Sequence, residues 1–467
     1  MKVKPLLKIL LNRLLGIYPY ASILAVDASA FNYVVNKAVT SVAEDELLSN
    51  RGFVIKVYDG QAYGEYSFNQ ISEDKMDDIV KEVEHVILMK ETIGDISLSK
   101  YKILADEPLV FAESSEYEVA PEDIGAAEII RRLTALKDQC LADNEKVINA
   151  TASISYQKYS KLFLSKNRDM MQNVFWTSGM LMVDVQKEQQ IKYSYLGFSK
   201  LGGMELMDSM KQHIPTVVQN ALDLLEAKPI IPGEYDCICT PSVTGLIAHE
   251  AFGHGVEMDM FVKDRALAQS YVGKYVAAPI LTMHDGASMK GKLQTASYFF
   301  DDEGVPAADT VIIKDGILQT GISDAQSAMY LGTEPTGNGR RESYRRKAYT
   351  RMTNTWFEPG KDKLEDMIGS ISYGFFLDDP VSGMEDPKNW GIQMMVNVAR
   401  EIKDGKLTGR VFSPIVVTGY VPDLLKSITM MSGETEFCGV GFCGKGYKEL
   451  VNVSEGGPYI KAKICLG

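Results

Sequence analysis

Two of the five histidines in the chain bracket a glutamate, in the run His249-Glu250-Ala251-Phe252-Gly253-His254. Two neutral imidazoles with a carboxylate between them are the residue set of a zinc peptidase. The rings hold the metal, and the glutamate takes a proton from its water. The usual spacing of four leaves the rings about 40° apart on a helix that turns roughly 100° per residue, and a spacing of five opens them to about 140°. A regular α-helix therefore splays them. A bulged or unwinding turn brings them back together, and Gly253 and Gly255 are what such a turn tolerates. The plain alternative is an amphipathic helix with two solvated or hydrogen-bonded histidines. His85 and His213, on helical segments, and His284, before Asp285-Gly286, read as structural or surface residues.

A catalytic zinc needs a third protein ligand and an open position. Spacing leaves several choices: Glu257 and Asp259 close by, Cys237 and Cys239 on one face of the preceding segment, or Cys438 and Cys443 in the glycine-rich run that ends at Lys445-Gly446. A thiolate suits the metal, and Lys445 would help keep Cys443 deprotonated. Cys237 and Cys239 read as small core side chains. A second dense segment, Pro335 to Lys347, holds Arg340 and Arg341. Either guanidinium fork could grip a peptide carboxylate or carbonyl, or the run could be a solvated loop paired with acids.

These residues must be positioned by the elements around them. Tyr235 to Cys239 reads as a strand, Thr240 as a helix N-cap and Pro241 as a first helical residue, so the histidines enter on a helix straight from a strand. Upstream, Met1 to Gly16 reads as a docked amphipathic helix with Leu6, Leu7, Leu10, Leu14 and Ile17 at helical spacing. Gly52–Tyr58 and Ala62–Phe68 read as a hairpin around Asp59-Gly60, a pair suited to a two-residue turn. Helices are expected over 72–91 and 121–140. A period of two from Ile148 to Phe198 predicts an antiparallel meander, broken at Lys166-Asn167-Arg168. Gly202-Gly203 marks a boundary, followed by a helix to about Ala227 that Pro215 kinks or divides. A turn at Lys314-Asp315-Gly316 and further short strands follow. The fold class is α+β: residues 1–203 form a domain of antiparallel sheet with helices, and 204–467 form a β-rich, barrel-like domain carrying the metal-site helix.

Composition narrows the function. The chain has 467 residues, with 49 Lys+Arg against 62 Asp+Glu, a net charge of −13. Such a surface repels phosphate backbones, and the lone basic patch at 340–347 does not reverse that, so a nucleic-acid binder is disfavoured. Six cysteines at irregular spacing make no disulfide framework and point to a reducing, cytoplasmic setting. No segment approaches the roughly 18 uninterrupted apolar residues of a membrane span.

The runs from His249 through Asp259, Asp302-Glu303-Gly304-Val305-Pro306, Pro335 through Tyr344, Arg351-Met352-Thr353-Asn354-Thr355 and Gly441-Phe442-Cys443-Gly444-Lys445 resemble those of the TldD/PmbA proteins, also called modulators of DNA gyrase and classed as metalloproteases. The likeness spans the C-terminal half in order and is looser over the first 200 residues. It implies that the five-residue spacing is the family's own HExxxH motif and that Cys443 is the third zinc ligand. It also implies a peptidase acting on unfolded or extended peptides inside a dimer's chamber, as a homodimer or with a related subunit lacking the motif. Met258, where a glycine is more usual, Cys438 and the C-terminal tail depart from the pattern. The expected enzyme is thus a metalloprotease with one zinc ion per chain on His249, His254 and Cys443. Glu250 is its general base, and Arg340, Arg341 and Gly444 touch substrate. The rival from another class is a non-catalytic peptide-binding or regulatory protein with a structural metal or none.

Overall fold

Alternating burial along three long strands builds the first half of the protein. The structure, a computed structural model, describes residues 2–88, 102–445 and 449–467. Val147–Leu164, Arg168–Lys187 and Gln190–Leu201 run antiparallel in series. Ala150, Ala152, Ile154 and Tyr156 all turn into the core, the inward set of a period-two strand. Tyr20–Val35 pairs on the other side of Val147–Leu164, followed outward by Asn50–Tyr58 and Tyr63–Phe68. The eight-stranded sheet is not wholly antiparallel, because Leu109–Ser114 joins Arg168–Lys187 in parallel. The Asp59-Gly60 hairpin closes at Tyr58 and Tyr63, so its turn has four residues rather than two. The Asp59 carboxylate accepts from the N–H groups of Gln61 and Ala62 and holds that wider turn.

Helices cover this sheet. Lys4–Leu15 and Met76–Leu88 bury Leu7, Leu10, Leu14, Ile79 and Val83 against Ile23 and Ile55. The helix expected over 72–91 begins at Met76, after a 3₁₀ turn Glu73–Lys75, and its expected end at Glu91 lies outside the described residues. Pro121–Asp143 covers the next patch. The helix expected after Gly203 is divided into Leu206–Met210 and Ile214–Leu225, with Pro215 in the second one's first turn, where its missing N–H is not needed. Both pieces bury Met207, Met210, Val217 and Ala221 in the first sheet's core, which therefore continues past residue 203. Among the described residues no helix is long and apolar enough to cross a membrane.

Beyond residue 232 the chain makes a closed five-stranded barrel. Tyr373–Asp386, Gly233–Cys239, Ile460–Leu466, Ile415–Tyr420 and Gly391–Lys403 pair in that order, and the last pairs back to the first. A second sheet carries Asp309–Lys314, Met283–Gly286, Asn354–Phe357, Glu449–Gly457 and, as its edge, Glu436–Lys445. The Lys314-Asp315-Gly316 turn forms as expected, with Asp315 and Gly316 both at positive φ. The barrel and the second sheet share one core, into which the histidine-bearing helix inserts Ile247, Ala248, Ala251 and Phe252.

The two halves meet through buried charge. Lys56, on the first sheet, bonds Glu303 and lies 3.1 Å from Glu65, which in turn takes the Arg341 guanidinium at 2.6 Å. Lys161 reaches Asp302 and Gln172 accepts from the Phe299 N–H, so the Asp302-Glu303-Gly304 run is the plug that docks the second half. Gly304, at positive φ, lies under the Phe163 ring, where a β-carbon would come within 2.4 Å.

Candidate metal centre

Strand Gly233–Cys239 delivers the chain to Thr240, which stands at the N-cap in extended conformation with Pro241 next. Thr240 Oγ1 turns to Asp378 and Ser242 rather than to a helix N–H. A short α-helix, Pro241–Leu246, then widens into a π-helix over Ile247–Gly253 and tightens into a 3₁₀ turn at His254–Val256. That widening answers the spacing problem. A helix bonded i→i+5 places the fifth residue roughly one turn on, where an α-helix places the fourth. His249 and His254 accordingly face one another, ring centroids 5.3 Å apart and nearly perpendicular.

Cys443 meets them from the edge strand Glu436–Lys445, its Sγ 3.5 Å from Nε2 of His254. One donor atom from each of the three residues lies within 4.8 Å of the others. Tetrahedral zinc, with bonds of about 2.3 Å to sulfur and about 2.0 Å to nitrogen, separates two such donors by roughly 3.6 Å, so the set is close to ligating geometry. Burial alone would raise the Cys443 thiol, but hydrogen bonds to His249 and His254 outweigh it and hold the thiol well below its usual range. Burial lowers the histidines, yet contact with the same sulfur carries His249 up to about 9 and His254 well above normal. Sulfur and rings thus shift each other toward thiolate and imidazolium, and a divalent cation held by them would compete with the ring protons.

Around the three donors lie carboxylates. Glu250 Oε2 is 4.0 Å from His254 Nε2, and burial pushes the pKa of its carboxyl above the ordinary carboxylate value. Its side chain passes over Gly383, where a β-carbon would approach its Cγ to 2.7 Å. Glu257 accepts from Nδ1 of His254 at 3.2 Å and lies 3.1 Å from Lys445. Burial opposes ionisation of Glu257, but Lys445 and then His254 bring it down to about 2. Glu257 is therefore a partner of a ring and not a third member of the donor set, while Asp259 holds Lys445 at 2.6 Å. Lys445 pairs with these two acids and donates to the Thr350 carbonyl at 3.0 Å.

The glycine-rich run is braced from behind. Arg351, fully buried, donates to the carbonyls of Cys443 and Glu449 on the two strands of that hairpin. Gly444 sits in the cleft wall beside Cys443, and Gly446 lies outside the described residues. Cys438 also lines the cleft, whereas Cys237 and Cys239 are buried in the barrel core, as expected of small core side chains. The Arg340 guanidinium donates to the Met352 carbonyl and Asn452 at 2.7 Å each, and that of Arg341 to Glu65 and the Arg346 carbonyl. Both line a smaller cavity apart from the histidines and cysteine, with these groups as their partners. His85 is exposed, and His284 is buried between Glu358 and Asp309, stacked on Trp356. His213 rests against Phe198 at the cleft margin.

The cleft has a volume of about 1170 Å³ and draws its walls from both halves, Tyr195 and Phe198 lining it together with Glu250, His254 and Cys443. Three acidic residues escaped the sequence reading. Asp285 accepts from Asn338, Thr353 and Thr355, tying three segments into one frame. Glu385 is half-buried, its carboxylate packed beside Gly255. Glu455 lies 4.0 Å from Nδ1 of His249. Only Asp285, next to a histidine and a glycine, stood in a segment with any local signal.

Residues 232–464 match the model of the PmbA/TldA metallopeptidase C-terminal domain, a span that contains every donor just described. A metalloprotease of Methanothermobacter thermautotrophicus is 27% identical over 349 residues, 74% of this chain and 75% of that protein. A zinc metalloprotease TldD homolog of Saccharolobus solfataricus is 28% identical over 317 residues, 67% of this chain and 70% of that protein. The fold is similar to that of a Thermotoga maritima protein described as a candidate modulator of a DNA gyrase, with a TM-score of 0.79 over 99% of this chain and 100% of that one at 14% identity. With the matched model spanning the metal centre and metalloprotease relatives aligned over two thirds or more of the sequence, the chain belongs to the TldD/PmbA family.

Proposed function

We propose that the protein is a zinc-dependent peptidase of low sequence specificity that hydrolyses unfolded or extended peptides, with one zinc ion per chain on His249, His254 and Cys443. The observation that carries this reading is the convergence of those three donors with Glu250 at the floor of one cleft. Two imidazoles and a thiolate suit zinc, and three protein donors match a catalytic site, whereas structural sites close with four. When bound, zinc supplies Lewis acidity and makes a water easy to deprotonate at neutral pH.

Glu250 takes the proton of the attacking water on its carboxylate and returns it to the leaving amine. Glu257 fixes the ring of His254, and Lys445 fixes Glu257. Backbone N–H groups at Gly444 assist polarisation of the scissile carbonyl. The Cys443 strand is the edge of its sheet, so an extended peptide can pair with it through main-chain hydrogen bonds, a mode that ignores most side chains. The chain works in two parts, with residues 204–225 packed on the first, as a homodimer or with a related subunit lacking the motif. A reducing cytoplasm keeps Cys443 free of oxidation to a disulfide.

The test is Glu250→Gln assayed for zinc content and for cleavage of an unfolded polypeptide. The expected protein keeps one zinc per chain and loses about 10²–10⁴-fold in rate. A variant that holds zinc and cleaves at the wild-type rate overturns the assignment.

A further inference from the structure

We infer that Glu455 is the positioning residue of His249, the carboxylate that fixes this ring's tautomer and direction toward the metal, as Glu257 does for His254. The inference rests on the proposed zinc site and adds a residue to it. Among the described residues, Nδ1 of His249 is buried and has no hydrogen-bond partner. A buried ring nitrogen left so is costly, and each such group calls for an explanation. Glu455 Oε2 stands 4.0 Å from it, and a carboxylate shift of roughly 1 Å closes that gap to an ordinary N–H···O bond of about 2.9 Å. With Nδ1–H donating to Glu455, Nε2 is the nitrogen left to the metal. The second ring already shows this arrangement completed, with Nδ1 on Glu257 at 3.2 Å and Nε2 beside the Cys443 sulfur.

Backbone packing ties Glu455 to the histidine's own helix. Glu455 lies on strand Glu449–Gly457, opposite Cys438 on the strand that carries Cys443. The helix that leads to His249 rests on this strand at Gly245: a β-carbon there would stand 2.8 Å from the Gly456 nitrogen and 3.0 Å from the Glu455 carbonyl carbon. Gly457 is as tightly placed, against Thr244. Ring and carboxylate are therefore held by the same helix-on-strand contact, and their relative position is set before any metal arrives. Carboxylates placed behind ligating histidines orient the ring and raise its basicity as a ligand.

The experiment measures zinc affinity of the full chain by competition with a chelator, for wild type, Glu455→Gln, Glu455→Leu and Glu455→Ala, with melting temperature recorded alongside. Gln keeps an acceptor for Nδ1–H. Leu keeps the bulk without an acceptor and, replacing a buried carboxylate, is not expected to unfold the protein. Leu and Ala should weaken zinc binding about 10–100-fold, and Gln should restore most of it. Folded Leu and Ala variants that bind zinc as tightly as wild type overturn the role of Glu455. So does a Gln variant that falls as far as Leu. A wild-type chain that takes up no zinc instead removes the metal-site reading itself, so the two failures are distinct.

Discussion

Gly253 lies directly against Met352: a β-carbon on this glycine would come within 2.1 Å of the Met352 sulfur. Gly253 closes the π-helix and precedes His254, so the absence of its side chain lets the wide turn seat on the core. Gly253→Ala should destabilise the protein by about 1–3 kcal/mol, the usual cost of overpacking, and should weaken zinc binding by displacing His254. Thermal melting and chelator competition on one preparation check both effects. Unchanged zinc affinity would show that the turn tolerates the shift.

Cys443→Ala should abolish tight zinc binding, since it leaves two imidazoles where the geometry offers three donors. Metal content per chain, on protein purified under reducing conditions, is the readout. Arg351 holds this strand through backbone carbonyls, which the substitution leaves in place, so the variant should fold. A full zinc complement in the variant would assign the third ligand elsewhere.

Lys445→Met removes the cation shared by Glu257 and Asp259. Taking one partner from a buried pair usually costs about 3–5 kcal/mol, because the remaining charge stays desolvated. The strain should be relieved by proton uptake, so the deficit should shrink at acidic pH. Denaturant unfolding of the variant at two pH values tests this, and a deficit that stays constant with pH would argue against it.

Glu65 governs a pH dependence far from the metal. Burial opposes its ionisation, but Lys56 and Arg341 hold its carboxyl far below the ordinary range. A carboxylate depressed by folding contributes stability that is complete above its unfolded pKa, about 4.3, and is lost as pH falls toward the lower folded value. The melting temperature of the wild type should therefore drop below about pH 4 more steeply than that of Glu65→Gln. Parallel curves would show that the bond between the halves does not depend on this charge.

How legible the site was depends on sequence distance. His249, Glu250 and His254 stand together in one short run, and the required departure from an α-helix followed from their spacing and from Gly253. Cys443 came from the family likeness, since spacing left several thiols and acids open. Glu455 had no local sign, because its neighbour in space is a ring on a distant helix. The partners of Arg340 and Arg341 were hidden for the same reason. A basic run looks available in a sequence, yet here the forks are consumed by Met352, Asn452 and Glu65, partners that only folding brings within reach.

What the sequence by itself determined is what repeats or lies close: the period-two meander of 148–198, the amphipathic N-terminal helix, the Lys314-Asp315-Gly316 turn, the strand-to-helix entry at Thr240-Pro241 and the chemistry of the His-Glu run. Such features depend on interactions a few residues long, which residue type and spacing encode directly. Tertiary structure alone decided the closure of the barrel, the parallel edge strand at 109–114, the docking of the halves through Lys56 and Glu303, and the carboxylates behind the two rings. Those depend on which surfaces meet. Many pairings satisfy the local pattern equally, and only the packing of the whole chain, with its buried charges partnered, selects one.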